Sequence, residues 1–293
     1  RNRFDIPVIG VTGSNGKTIV KEWLYQLLHE DYNMVRSPRS YNSQIGVPLS
    51  IWQMNESTEL AVIEAGISQP GEMDKLEAII KPTVGIITNI GAHQEGFASM
   101  QEKSLEKLTL FKDSDCVIYN GDSALISDTV EKMCLGTREI AWSYKDKNGP
   151  LYIIKVTKED ENTRIRYSYL QYEGEFVIPF VGDAAVENAI HCLAVMLYLG
   201  KGPNEITEKM AKLEPVAMRL EVKEGRNNCL VINDTYNSDI NSLEIALDFQ
   251  VRRATAGMRR TLILSDILQS GMLPATLYRK VSQILMHKGR SEE

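Results

Sequence analysis

The sequence is poor in the features that mark several classes of protein. Cysteine occurs four times in 293 residues, far apart and without a Cys-x-x-Cys pair, so neither a disulfide framework nor a zinc site is indicated. The longest apolar run, residues 189–199, is interrupted by His191 and falls far short of the ~20 residues of a membrane helix. Positive charge is not in excess, because 33 Lys and Arg face 39 Asp and Glu for a net charge of −6. These absences argue against a general nucleic-acid or membrane surface and favour a reduced, cytoplasmic enzyme.

The composition is that of a folded, globular protein. Hydrophobic residues make up 43% of the chain and charged residues 25%, which is unlike a disordered segment. The length suggests about two domains and allows roughly three quarters of the unfolded surface to be buried.

The first 120 residues alternate between expected strands and helices. Apolar runs predict strands at residues 6–11, 60–63, 83–88 and 116–119. Helical spacing of apolar residues predicts helices at residues 17–30, 71–80 and 101–112. Such alternation predicts an α/β fold with a parallel sheet and helices on both of its faces.

The pattern changes after about residue 138. Short segments rich in β-branched and aromatic residues, at 151–156, 164–170 and 175–180, predict a small antiparallel region. A helix is expected at 184–199. From about residue 218 the strand–helix rhythm resumes, with strands expected at 229–233 and 261–264 and helices at 242–252 and 274–286. This second unit contains few strands and looks truncated.

The strongest motif is a glycine loop between the first strand and the first helix. Residues 12–18 read Thr-Gly-Ser-Asn-Gly-Lys-Thr, where backbone amides and the helix dipole can hold phosphate oxygens. Lys17 would contact the β- and γ-phosphates and Thr18 a Mg²⁺ ion. The strict pattern places a glycine where this chain has Val11, and the bland alternative is an ordinary glycine turn. Because strand, turn, Lys-Thr and helix coincide, we expect nucleotide binding by a loop that comprises Gly13, Ser14, Asn15, Gly16, Lys17 and Thr18.

Two further polar residues follow expected strands. Glu64 ends the run at 60–63, and His93 lies just beyond the strand at 83–88. Ligands of open α/β sheets gather at the carboxyl ends of the strands, so both could complete a Mg²⁺ site beside Thr18. The alternatives are a solvated strand-end carboxylate and a surface histidine, and Mg²⁺ prefers oxygen to imidazole.

Five motifs in order resemble the Mur ligase superfamily over essentially the whole chain. They are residues 12–18, 41–48 (Tyr-Asn-Ser-Gln-Ile-Gly-Val-Pro), 64–66 (Glu-Ala-Gly), 89–97 (Asn-Ile-Gly-Ala-His-Gln-Glu-Gly-Phe) and 234–237 (Asp-Thr-Tyr-Asn). The motifs after residues 91 and 233 look most like the branch that adds D-alanyl-D-alanine.

The resemblance implies an ATP-dependent amide ligase of peptidoglycan precursor synthesis. Its substrates would be UDP-N-acetylmuramoyl-tripeptide and D-alanyl-D-alanine, joined through an acyl phosphate with ATP and Mg²⁺. Residues 1–217 would form the P-loop-type central ATP-binding domain, and residues 218–293 part of a C-terminal Rossmann-like α/β domain. A UDP-sugar-binding domain would precede Arg1. Residues 218–221 and 265–266 look like the variant that is fused to an alanine racemase.

The resemblance also implies roles for individual residues. Lys17, His93, Lys107 and Arg219 would be catalytic, and Thr18, Glu64, His93 and Lys107 would form the metal site. Lys107 matches a lysine that several Mur ligases carbamylate, and its bland alternative is a surface lysine on an amphipathic helix. Nucleotide contacts would further include Asn42, Asn188, Arg219 and Asp234.

The sequence departs from the family pattern at two places, and rival functions stay open. Ala184 and Ala185 replace a His-Asn pair on the adenine side, and residues 238–240 read Ser-Asp-Ile instead of Ala-Asn-Pro. The rivals are another amide ligase of the superfamily, of the folylpolyglutamate-synthase kind, and a nucleotide-binding fragment without turnover.

Overall fold

The computed structural model describes residues 1–91, 96–133, 136–159, 161–170, 172–217, 219–235, 240–254, 258–267, 270 and 272–289. They fall into two compact units, one that ends at Glu214 and one that begins at Pro215. Each unit has its own hydrophobic core. None of the helices in these residue ranges is long and apolar enough to cross a membrane.

The first unit is built on one large sheet. Its strands are β1 (Val8–Thr12), β2 (Met34–Arg36), β3 (Leu60–Glu64), β4 (Val84–Ile87), β5 (Cys116–Asn120), β6 (Arg138–Ser143), β7 (Leu151–Glu159), β8 (Asn162–Tyr169) and β9 (Tyr172–Ile178). They are arranged β2-β3-β1-β4-β5-β6-β7-β8-β9, parallel from β2 to β7 and antiparallel from β7 to β9. The expected parallel sheet with a small antiparallel region is therefore confirmed, and the antiparallel strands extend the same sheet.

The helices of the first unit cover this sheet. They are α1 (Lys17–Leu28), α2 (Gly46–Ile51), α3 (Glu72–Ile80), α4 (Met100–Leu108), α5 (Ala124–Met133), α6 (Asp183–Tyr198) and α7 (Pro203–Met210). Helix α4 begins after the N-cap residue Ser99, whose Oγ accepts from the Glu102 amide at 3.1 Å, and the Glu102 carboxylate accepts from the amide of the preceding residue, Ala98, at 2.6 Å. The cap sets where α4 begins.

The sheet brings three strand ends together. Strand β1 lies between β3 and β4, with Val11 beside Glu64 and Thr12 beside Ile87. Because all three strands are parallel, the residues that follow them meet at one edge. The glycine loop, Glu64 and the segment after β4 therefore lie close together.

The second unit contains β10 (Glu221–Glu224), β11 (Leu230–Asn233), α8 (Ile240–Arg253) and α9 (Pro274–Gly289). Strands β10 and β11 are antiparallel, and apolar residues of the two helices form the core together with Ile267. The strand expected at 261–264 is wrong. These residues form no strand, and all four are exposed, with Ile263 at 95% exposure. The prediction rested on the apolar composition of this run alone. Strand formation depends on burying such side chains against a sheet, and here they stay exposed to solvent. The Rossmann-like arrangement expected for this unit stays a prediction.

Candidate nucleotide-binding site

At two positions in the glycine loop between β1 and α1, the backbone adopts a conformation that favours glycine. Gly13 has φ +137° and Gly16 has φ +86°, a region that residues with a Cβ rarely adopt. A Cβ on Gly13 would overlap the Thr88 hydroxyl, and a Cβ on Gly16 would overlap the Asn188 side chain. The loop is therefore packed closely against both neighbours, and an ordinary glycine turn needs no such packing.

The end of β4 holds the loop in this shape. The backbone amides of Ser14 and Asn15 donate to Asn89, at 2.8 Å to its carbonyl and 3.0 Å to Oδ1. The Thr88 hydroxyl donates to the Asn15 carbonyl at 2.5 Å, and the Gly91 amide donates to Ser14 Oγ at 2.7 Å. The motif at residues 12–18 indicated the loop, but the sequence pattern predicted no role for Thr88 or Asn89. Thr88 is the last residue of the strand expected at 83–88 and Asn89 directly follows it, and this position at a strand end is the signal that could have identified them.

Helix α1 presents its N-terminus to the loop. Gly16 is the N-cap residue, and as a glycine it has no side chain that could cap the helix. The first amides of a helix carry partial positive charge and attract anions. A helix N-terminus with glycine as its N-cap residue, beside a glycine loop, fits a phosphate group.

Three lysines surround the loop. Lys17 Nζ donates to the carbonyls of Gly13 and Ser14 at 2.9 and 3.0 Å, and Lys107 Nζ donates to the same Gly13 carbonyl at 3.3 Å. Lys103 Nζ donates to the Gly91 carbonyl at 3.2 Å. Lys107 is 3% exposed, so the alternative of a surface lysine is wrong: α4 turns this residue towards the loop.

The electrostatics of these lysines favour an anion. Burial lowers the pKa of Lys107 well below its usual value, and the charges of Lys17 and Lys103 lower it further against the opposing effect of Glu106. The pKa of Lys103 is lowered by burial and then by the charge of Lys17. Like charges held together disfavour one another. A polyphosphate at the loop would offset this repulsion, so the residues present fit a nucleoside triphosphate.

Oxygen atoms suited to magnesium meet next to the loop. The Thr18 hydroxyl donates to Glu64 Oε2 at 3.1 Å and lies 2.9 Å from Ser40 Oγ. Asn42 Nδ2 donates to Glu64 Oε1 at 2.8 Å. Glu64 is 1% exposed, which excludes the alternative of a solvated strand-end carboxylate. Sequence reasoning missed Ser40, because the expected strand-end residues did not include the loop after β2.

This oxygen set fits a magnesium ion that keeps most of its water ligands. Among the residues described, no cluster of three or more His, Cys, Asp or Glu side chains could hold a metal ion. Mg²⁺ is typically bound by one or two carboxylates together with phosphates and water. Thr18 and Glu64 are a donor set of that kind, whereas a protein cage of several charged ligands would suit other metals.

The structure places the remaining predicted site residues in different parts of the molecule. Asn188 is 4% exposed on α6 and adjoins Gly16, so it does lie at the loop. Arg219 and Asp234 belong to the second unit, where Asp234 Oδ1 accepts from the Leu220 amide at 3.2 Å. His93 lies outside the described residues. The roles of all four stay predictions.

A buried histidine contacts Thr88, the residue whose hydroxyl binds the glycine loop. His191 is fully buried; its Nδ1 accepts from Trp142 Nε1 at 3.3 Å, and its Nε2 donates to the Thr88 carbonyl at 3.2 Å. Since the indole only donates and the carbonyl only accepts, these partners fix the neutral tautomer with its proton on Nε2. Burial lowers the pKa of His191 to about 4. Sequence reasoning treated His191 only as a break in an apolar run.

The depressed pKa of His191 predicts a loss of stability in acid. Between pH 6.5 and 4 the unfolded chain binds a proton that the folded chain does not, so stability falls as pH decreases through this window. From pH 7 to 5 we expect wild type to lose about 2 kcal/mol more than His191→Gln, which keeps a donor and an acceptor but does not titrate. Urea unfolding of both proteins at the two pH values measures the difference. Equal losses would show that His191 is not the titrating group.

Comparison with known proteins gives a consistent result. A family model described as the Mur ligase middle domain matches residues 11–196. The UDP-N-acetylmuramoyl-tripeptide--D-alanyl-D-alanine ligase of Bacillus subtilis is 31% identical over 283 residues, which cover 95% of this chain and 60% of the relative. The chain thus spans about 60% of the length of the curated relatives it matches.

Solved structures have the same fold. A crystal structure of MurF from Acinetobacter baumannii has a TM-score of 0.83 at 22% identity and covers 97% of this chain and 61% of its own. That identity supports the fold alone. The crystal structure of MurF ligase from Thermotoga maritima in complex with ADP has a TM-score of 0.73 at 25% identity and covers 86% of this chain and 58% of its own.

Proposed function

The chain belongs to the Mur ligase family, and we propose that it carries the ATP-binding and phosphoryl-transfer part of a ligase that joins D-alanyl-D-alanine to UDP-N-acetylmuramoyl-tripeptide in the cytoplasm. The observation that carries this proposal is the contact of Thr18 with buried Glu64 beside a loop surrounded by three lysines. Relatives named for this activity, and a similar structure solved with ADP, support it. In this proposal residues 1–217 are the central ATP-binding domain and residues 218–293 are part of the C-terminal ligase domain.

The reaction that we propose has two bond exchanges. A carboxylate oxygen of the peptide substrate forms a bond to the γ-phosphorus of ATP, the bond from the γ-phosphorus to the bridging oxygen breaks, and ADP leaves. The amine of D-alanyl-D-alanine then forms a bond to the acyl carbon of the resulting acyl phosphate and loses a proton, while the bond from the acyl carbon to the phosphate oxygen breaks. The product is an amide, and inorganic phosphate is released.

The residues of the chain would act mainly by position and charge. The α1 N-terminus and Lys17 would bind the phosphates and offset negative charge that develops on the transferred group. Asn188 and Asn42 would orient the nucleotide. Arg219 and Asp234 would contribute from the second unit, as the family resemblance implies.

Magnesium would be held by Thr18 and Glu64, with His93 proposed as a further residue of the metal site. When bound, the ion supplies positive charge that neutralises the phosphate oxygens. Asn42 orients Glu64 by donating to its second carboxylate oxygen, so that Oε2 stays directed at Thr18.

Lys107 is proposed to be carbamylated. A lysine reacts with CO₂ only as the neutral amine, and burial and the nearby lysines lower its pKa in the direction that increases this form. The adduct would replace a positive charge with an anionic carboxylate. This would relieve its repulsion from Lys17 and Lys103 and add oxygen ligands for magnesium.

An amine-selection assay tests the proposed activity. We expect ADP release from Mg²⁺-ATP to require UDP-N-acetylmuramoyl-tripeptide and to be stimulated by D-alanyl-D-alanine. Glutamate serves as the competing amine, because the folylpolyglutamate-type rival would use it. Stimulation by glutamate alone would favour that rival. ADP binding without stimulation by either amine would favour the nucleotide-binding fragment.

A further inference from the structure

Lys21 is a fully buried lysine whose charge is completely satisfied. It lies one turn after Lys17 on α1 and is 0% exposed. Its Nζ donates to the Ser37 carbonyl at 2.7 Å and to the Arg39 carbonyl, and it pairs with Glu22 Oε1 at 2.9 Å. An ammonium group has three donors, so each has a partner. Burying a charge is costly unless it is paired and hydrogen-bonded, and Lys21 meets that condition through these three partners.

Two of these partners, the carbonyls of Ser37 and Arg39, belong to the segment between β2 and α2. Arg39 has φ +49°, a left-handed conformation that costs a residue with a side chain roughly 1–2 kcal/mol. A segment that contains such a residue needs anchors to keep its shape. Lys21 anchors it directly, because it binds the carbonyl of Arg39 and that of Ser37 two residues earlier.

The same segment reaches the oxygen set of the proposed magnesium site. Ser37 Oγ accepts from the Glu64 amide at 3.0 Å, and Ser40 Oγ lies 2.9 Å from the Thr18 hydroxyl. Further along, Asn42 Nδ2 donates to Glu64 Oε1 at 2.8 Å. The segment therefore touches Thr18 and Glu64 beyond the point where Lys21 holds it.

We propose that Lys21 is a positioning residue for the magnesium-nucleotide site: its ammonium holds the carbonyls of Ser37 and Arg39, so that Ser40 and Asn42 meet Thr18 and Glu64. The inference rests on the proposed function of this site. If Lys21 only stabilised the core, replacing it would change the stability of the protein but not the effect of magnesium on nucleotide binding. Interactions that orient metal ligands affect metal affinity about 10- to 100-fold, so the two roles separate in a binding measurement.

The test replaces Lys21 with methionine, which has a similar length but no charge. ADP affinity is measured by calorimetry with Mg²⁺ and, separately, with EDTA. We expect affinity in Mg²⁺ to fall about tenfold, whereas affinity in EDTA stays within about twofold of wild type. In the nucleotide-free protein, amide exchange of residues 37–42 should become faster. Lys201→Met is the matched control, because Lys201 pairs with Asp31 and Glu205, which both lie outside this segment.

A second variant covers the case in which Lys21→Met does not fold. Lys21→Arg keeps the buried charge, but its planar guanidinium cannot reproduce the three contacts of an ammonium, so the same selective loss in Mg²⁺ is expected. A variant with wild-type magnesium dependence and unchanged exchange at residues 37–42 overturns the inference, whatever its stability. If wild type itself binds no ADP, the proposed function fails instead.

Discussion

Lys17→Ala is expected to abolish nucleotide binding while the fold stays intact. Lys17 Nζ donates to the carbonyls of Gly13 and Ser14, and the residue is only half-buried, so its loss removes little of the core. A hydrogen bond to a charged group contributes about 1.5–3 kcal/mol. Two such bonds to a polyphosphate correspond to at least a hundredfold loss of affinity. Calorimetric titration with ADP and Mg²⁺ measures this loss.

Lys201→Ala and circular dichroism control for the general effect of removing a lysine. Lys201 forms ion pairs with Asp31 and Glu205. We expect the Lys201→Ala variant to bind ADP with the affinity of wild type. Lys17→Ala should also allow the pKa of Lys107 to rise, because the charge of Lys17 is one cause of its depression. Normal ADP affinity in Lys17→Ala, with an unchanged spectrum, would contradict the phosphate-binding role of the loop.

Lys107→Ala is expected to reduce turnover at least about a hundredfold while ADP affinity falls less than about tenfold. If Lys107 is carbamylated, the variant loses anionic oxygen ligands of the metal site but keeps Lys17, Thr18 and the loop. In ¹³C-bicarbonate, wild type should show a carbamate carbon by nuclear magnetic resonance, and Lys107→Ala should not. The direction of the pKa shift supports the chemistry, since a lowered pKa increases the neutral amine at neutral pH.

Lys103→Ala separates carbamylation from a general effect of the lysine cluster. Lys103 donates to the Gly91 carbonyl and lies one turn from Lys107 on α4. Its replacement should leave the carbamate signal in place, although it removes one charge that lowers the pKa of Lys107. A wild-type protein without the signal, together with full turnover in Lys107→Ala, would leave Lys107 with a purely structural role.

Local pattern was sufficient for most of the first unit. The helix expected at 17–30 is α1 at Lys17–Leu28, and the strand expected at 60–63 is β3 at Leu60–Glu64. These elements could be predicted because their apolar spacing matches the side that each one buries. Five elements of the first unit escaped prediction: α2, α5, α7, β2 and β6. For α2 and β2, of six and three residues, the reason is that so short an element carries too few apolar positions for a period.

The sequence predicted the residues of the candidate site that carry its chemistry, but not the residues that hold them in position. Residues 12–18 indicated a phosphate loop because glycine, lysine and threonine occur there at a spacing that few other structures require. The sequence placed Glu64 at a strand end. It could not show that Asn42 contacts Glu64 or that Ser40 contacts Thr18. Those contacts join segments that are 22 residues apart, and no local pattern records such a distance.

The primary sequence was enough to establish an α/β fold, a phosphate loop and a family resemblance, since periodicity and motif spacing are local properties of the chain. The folded structure alone decided which charges are buried and which partners they have. It turned Lys107 inward from an amphipathic helix, made His191 a neutral support of the loop, and gave Lys21 two carbonyl partners on a distant segment. Burial and long-range hydrogen bonds depend on how the sheet brings separate strands together, and so they arise only in three dimensions.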